Sequence, residues 1–213
     1  EITCRDWSSD VCSSDLESCI DLTSTGVQVH GGMGFIEETG AAQHFRDARI
    51  TSIYEGTTAI QANDLIGRKI ARESGQTVKA VIAEMRKVEA SLAEASGDEF
   101  AAMRKSLSAG VTALEEAVAY IVATYGQDIK AASVGSVPFL KLLGIVAGGW
   151  QMGRAALVAA RRLAEGSGDA GFYQAKVTTA RFYADHVLSQ APGLAYSVVN
   201  GAAAALAMPE DMF

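Results

Sequence analysis

The run from Asp98 to Thr124, DEFAAMRKSLSAGVTALEEAVAYIVAT, decides the fold class. Phe100, Met103, Leu107, Val111, Leu114, Val118 and Ile121 return at three- and four-residue spacing, which lines them along one face of a long α-helix. Ser96-Gly97 ahead of it and Tyr125-Gly126 behind it are breakers, and Asp98 is placed to cap the start. A face that apolar over so many turns must be covered, so this helix is read as one wall of a bundle.

Outward from it the same period repeats. Val78, Val81, Ile82, Met85, Val88 and Leu92 mark the preceding helix. Ile60, Leu65, Ile66 and Ile70 mark another from about Thr57 to Glu73, stopped at Ser74-Gly75. After Tyr125 the chain from Val137 to Gly166 is apolar and rich in Gly and Ala. Its uncharged run, Leu142 to Gly153, is only 12 residues, short of the roughly 20 that a bilayer needs. No membrane span is expected, and Gly149 and Gly153 are read as places where another helix comes close. A last helix is predicted from about Ala170 to Gln190, with Val177, Ala180, Ala184 and Val187 facing inward. No strand pattern and no internal repeat are present; the expected fold class is all-α.

The first residues, EITCRDWSSDVCSSDL, lack this order and resemble a short-read sequencing adapter translated in frame. Residues 1–16 are therefore set apart as an artefact, not as native sequence. The formal charge of the whole chain is −7; without Arg5, Glu1, Asp6, Asp10 and Asp15 it becomes −4. Such a chain has no electrostatic footprint for nucleic acid. Cys19 is then the one remaining thiol, which suits a reducing, cytoplasmic compartment. The expected organisation is residues 17–75 as the end of one helical domain and 76–213 as a second, and the chain is read as a fragment of a longer protein.

Three stretches before Glu73 carry chemistry. GVQVHGGMGFIEETG holds Gly26, Gly31, Gly32, Gly34 and Gly40 and is read as a shaped loop between helices. Its glycines let backbone approach a ligand, although such clusters alone are more often tight turns. FRDARI, with Arg46, Asp47 and Arg49, suggests a local ion-pair network. In TSIYEGTTAIQ, Glu55 follows Ile53-Tyr54 and precedes Gly56-Thr57-Thr58 at a helix start. There a carboxylate can be a dipole-favoured charge, or a base whose pKa an apolar lining raises. His30, His44 and His186 have no metal-binding spacing, and no metal is expected.

Taken in order, Gln28 to Gly34, Arg46 to Ile50 and Tyr54 to Gln61 resemble the C-terminal helical domain of the flavin-dependent acyl-CoA dehydrogenases. The resemblance implies that Glu55 is the base that removes the α proton of an acyl-CoA thioester, while the β hydrogen leaves as hydride to FAD, giving a trans-2-enoyl-CoA. It implies that the Glu55 backbone amide helps hold the thioester oxygen as charge develops. It further implies that Tyr54 lines the acyl pocket, that Gly56 leaves room beside the thioester, and that Gln28, Val29, His30, Gly31 and Gly32 contact the FAD of a neighbouring subunit. Thr57, Thr58 and Ala59 match a second FAD-contacting stretch; Ala59 departs from the larger polar residue often found there, so only a backbone contact carries over. A homodimer or homotetramer and electron-transfer flavoprotein as electron acceptor are implied as partners. The chain beyond the signature resembles the large subclass with an extra helical domain, which includes 3-methylmercaptopropionyl-CoA dehydrogenase-like enzymes. An acyl-CoA oxidase and a non-enzymatic helical scaffold are the rival readings. The isolated chain is expected to be inactive.

Overall fold

The computed structural model describes residues 8–54 and 57–212, and every regular element among them is helical. They divide into two compact units, one running to Leu65 and the other beginning at Ile66.

In the first unit α1 (Ser8–Val29) is the common support. Against it pack α2 (Gly32–Phe35), α3 (Ala41–Thr51) and α4 (Thr58–Asp64). Residues 8–16 extend α1 backward, as helix propagation onto an existing helix costs little once nucleation is complete. The glycine-rich stretch is less of a loop than its composition suggests. Gly26 lies inside α1, Gly32 and Gly34 lie in α2, and Glu37–Thr39 form a 3₁₀ turn closed by Gly40 at φ 76°. The irregular backbone is concentrated at His30-Gly31, where Gly31 takes φ 59°. Each glycine is tolerated for a separate local reason, which composition alone could not separate.

The helix expected over 57–73 is broken. After α4 come a π-helical turn, Leu65–Ile70, and a 3₁₀ turn, Ala71–Glu73, before the stop at Ser74 and Gly75, both left-handed. The helices α5 (Gln76–Glu94), α6 (Asp98–Thr124), α8 (Ser136–Ala164), α9 (Ala170–His186) and α10 (Ala191–Asn200) form a bundle, with α7 (Ile129–Val134) and α11 (Ala202–Ala207) as short pieces packed together. Gly97 takes the N-cap of α6, so Asp98 is its first helical residue, where a carboxylate still suits the dipole. Asp128 and Asp169 are true caps, accepting from the amides of Ala131 at 2.9 Å and Phe172 at 3.2 Å.

By length and composition alone α6 and α8 could each cross a bilayer. Both instead supply the core of this unit: Leu107, Leu114 and Ile121 of α6 and Phe139, Leu142 and Val146 of α8 are fully buried. The expected helix to Gln190 ends at His186 because the chain must turn there. Residues Leu188–Gln190 form a 3₁₀ turn, and Pro192 is the second residue of α10. The turn drives Leu188, 2% exposed, into a slot between two helices. A methyl on Gly149 of α8 would sit 2.6 Å from its side chain, and one on Gly110 of α6 would sit 2.8 Å from it. Beside it the Tyr183 hydroxyl donates to the Ile145 carbonyl at 3.1 Å, laying its ring where a methyl on Gly148 would be.

Across the bundle Arg86 of α5 ties onto α6. Its guanidinium donates to both oxygens of Glu115, to Thr112 and to the Ser108 carbonyl, while also reaching Glu89 at 2.7 Å. The Glu115 hydrogen bond raises the Arg86 pKa further. Partial burial pushes Glu89 upward, but its hydrogen bonds from Arg86 and Ser108 and the nearby Arg104 charge outweigh this and hold it below the usual carboxylate range. In the second unit Leu188→Ala should lower the unfolding free energy by about 3 kcal/mol, the usual range for a buried leucine that leaves a cavity. Urea denaturation reads this directly, and a loss below about 1 kcal/mol, the size of an ordinary surface change, would show that the slot is not a packing site.

Candidate functional site

The described residues of the three motifs lie in the first unit at separate places: Gln28 to Gly34 at the C-terminal end of α1 and in α2, Arg46 to Ile50 in α3, and Thr57 to Ala59 at the start of α4, which meets α1 at Glu17. Three glycines of the Gln28 to Gly34 motif have three different jobs. Gly34 is buried, and a Cβ there would fall 2.2 Å from the Val27 carbonyl oxygen and 2.9 Å from His30 Cβ. It therefore permits α2 to fold back on the end of α1. Gly31 supplies the positive φ for the reversal, its amide donating to the Gln28 carbonyl at 3.0 Å and its carbonyl accepting from Gly34 at 2.9 Å. Gly32 meets neither demand: a Cβ there would touch nothing within 4 Å. Its α-carbon faces open space, so this is where a flat ring or an anionic group can come against the backbone.

Around Gly32 the surface is exposed. Gln28, Val29 and His30 all present their side chains outward, Val29 at 79% exposure. His30 Nδ1 lies 2.9 Å from the Gly26 carbonyl, which can only accept, so Nδ1 is the donor of this pair. The amides of His30, Gly31 and Gly34 are spent on carbonyls of the turn. Gly32 and Met33 begin α2, and first-turn amides have no acceptor within their own helix. A group with acceptor atoms and an apolar face fits such a surface, which a flavin possesses.

The Arg46 to Ile50 run organises differently from the expected Arg46, Asp47 and Arg49 network. Arg46 reaches back to the 3₁₀ turn and forms a two-pronged pair with Glu37, at 2.8 and 2.7 Å, while also donating to Gln43 Oε1 at 2.8 Å. Hydrogen bonding from Arg46 lowers the Glu37 pKa, against a smaller opposing effect of desolvation. Asp47 accepts from Gln43, and Arg49 donates to Ser52 at 3.3 Å. These contacts fix α3 to the turn preceding it. Glu37, nine residues before Arg46, carried no periodic signal in the sequence.

Following α3, Tyr54 is 54% exposed, with its amide on the Ile50 carbonyl at 3.2 Å. Glu55 and Gly56 lie outside the described residues. Thr57, exposed and extended at φ −67° and ψ 161°, is the N-cap of α4, yet its side chain makes no capping bond. The half-buried Thr58 hydroxyl donates to the Glu17 carboxylate of α1, and Ala59 is exposed. Sequence reading missed Glu17, since a carboxylate and a hydroxyl 41 positions apart leave no pattern.

Comparison with known proteins identifies the family. Residues 16–70 match the family described as acyl-CoA dehydrogenase, C-terminal domain, and residues 77–209 match that described as acetyl-CoA dehydrogenase C-terminal like. The chain belongs to the acyl-CoA dehydrogenase family. It is 52% identical over 174 residues to the 3-methylmercaptopropionyl-CoA dehydrogenase of Ruegeria pomeroyi, a match covering 81% of this chain and 29% of that protein. It is 33% identical to a butyryl-CoA dehydrogenase of Syntrophomonas wolfei, over 90% of this chain and 31% of that protein. With the broad-specificity linear acyl-CoA dehydrogenase FadE5 of Mycobacterium tuberculosis it shares 36% identity, over 76% of this chain and 28% of that protein. The chain thus spans just under a third of the length of these relatives.

The division of labour among the glycines gives a direct check. Gly34→Ala should cost about 2 kcal/mol, as overpacking against backbone does, whereas Gly32→Ala should stay within about 0.5 kcal/mol of the parent. Equal losses in urea unfolding would contradict it.

Proposed function

We propose that the full-length protein carrying this sequence oxidises an acyl-CoA thioester to the trans-2-enoyl-CoA, with Glu55 as the base. The single observation that carries the proposal is the match of residues 16–70, which hold the glycine turn, Tyr54 and the start of α4 in that order, to the acyl-CoA dehydrogenase C-terminal domain. FAD, when bound, supplies the acceptor for the β hydrogen as hydride. The protein's part is to bind, orient and take a proton. Glu55 removes the α proton, and the backbone around it carries the thioester oxygen as that carbon becomes enolate-like.

The turn at Gln28, Val29, His30, Gly31 and Gly32 would lie against a flavin, with Gly32 as the point of closest backbone approach. Thr57, Thr58 and Ala59 would form a second contact. The Thr58 hydroxyl proton is already committed to Glu17, so Thr58 offers a flavin only its main chain or an oxygen lone pair. Tyr54 would line the acyl pocket, with Gly56 leaving room for the thioester.

Val29, Met33, Phe35 and Ile60 are each more than half exposed in the first unit. Apolar residues at this density favour a covered surface, which supports the reading of a homodimer or homotetramer in which a neighbouring subunit and the rest of the polypeptide close the site. Electron-transfer flavoprotein is the proposed acceptor and the cytoplasm the proposed compartment.

In the full-length protein Glu55→Gln should retain yellow FAD but fail to bleach when acyl-CoA is added without oxygen, losing at least about 10³-fold in rate. Bleaching at the parental rate would overturn the assignment of the base.

A further inference from the structure

We infer that Glu17 is a positioning residue for this active site, acting through Thr58 to hold the start of α4, three residues after Glu55 in the sequence. The inference rests on the proposed role of Glu55 and adds a residue from another helix to it.

A helix N-terminus is ordinarily held by the side chain of its N-cap residue, which accepts from an amide of the first turn. Thr57 occupies that place in α4 and its hydroxyl makes no such bond. The fastening is instead tertiary. Thr58, the first residue of α4, donates its hydroxyl proton to a carboxylate oxygen of Glu17. Both side chains are half-buried, which lessens competition from water.

The consequence reaches Glu55 by covalent geometry. Three peptide links separate Glu55 from Thr58, so their α-carbons stay within about 11 Å whatever the intervening backbone does. Glu17 and the flavin-facing turn at Gln28 to Gly32 belong to, or directly follow, the same helix, α1. One helix thus carries the glycine turn at its C-terminal end and, through Glu17 near its middle, the start of α4. A catalytic base must be placed to within a fraction of an ångström, and misplacement by about 1 Å can cost on the order of 10²-fold.

The role is tested in the full-length flavoprotein by anaerobic stopped-flow bleaching with a saturating acyl-CoA. Glu17→Ala and Thr58→Val should each slow the bleaching step about 10-fold while FAD stays bound, and the double variant should be no slower than either single, because both remove one interaction. Glu17→Gln keeps an acceptor oxygen, so it should remain within about twofold of the parent. Losses that multiply in the double variant, or bleaching unchanged in both singles, would overturn the inference. Thermal unfolding of the same variants separates placement from folding: a rate loss that Glu17→Gln fails to rescue, accompanied by a lowered Tm, would also count against it. If Glu55→Gln bleaches normally, the proposed base falls first; if Glu55→Gln is inert and Glu17→Ala is fast, only the positioning role falls.

Discussion

The site depends on one close approach. Where α2 folds back over the end of α1, the α-carbon of Gly34 comes so near the Val27 carbonyl that a methyl group would lie 2.2 Å from that oxygen. No other residue can stand there without moving backbone. With that contact made, Gly31 turns the chain and Gly32 is left facing open space, so one packing constraint creates the bare stretch of main chain that a ligand can reach. The Glu37–Arg46 pair then holds α3 beside it, delivering Tyr54 and the chain that leads to Glu55.

The second unit uses the same device to a different end. Gly110 and Gly149 open a slot for Leu188, and Gly148 yields to the Tyr183 ring. Here glycine serves dense apolar packing, and nothing exposed is left at the contact. This explains how two helices apolar enough for a membrane become the interior of a bundle: their apolar faces are consumed by one another and by α5, α9 and α10. Arg86 adds a polar tie at the edge, where partial exposure limits its contribution to about 1 kcal/mol.

Helix period made most of the architecture legible. Residues 98–124 and 78–92 carry a face that tertiary structure had no reason to override, and both helices are present as read. The end of α9 was not legible, because what stops it is the insertion of Leu188 between two glycines far away in sequence. The glycine-rich segment before Ala41 was legible as a motif but not as a shape. A tally of glycines cannot tell one that relieves a clash from one that takes a positive φ or one that leaves room. Of the site, the order and spacing of Gln28, Arg46 and Tyr54 pointed to a family, and residues 16–70 belong to it. The Glu17–Thr58 latch was invisible, since a tertiary hydrogen bond between common side chains leaves no periodic trace.

The central claim is that this chain presents a base to the α carbon of an acyl-CoA. Its most direct measurement is the anaerobic bleaching rate of the full-length flavoprotein with acyl-CoA deuterated at the α carbon only. Proton removal by a carboxylate in the bleaching step predicts a clearly slower rate than with unlabelled substrate. Bleaching at the same rate with both, under conditions where β deuteration slows it, would contradict the account.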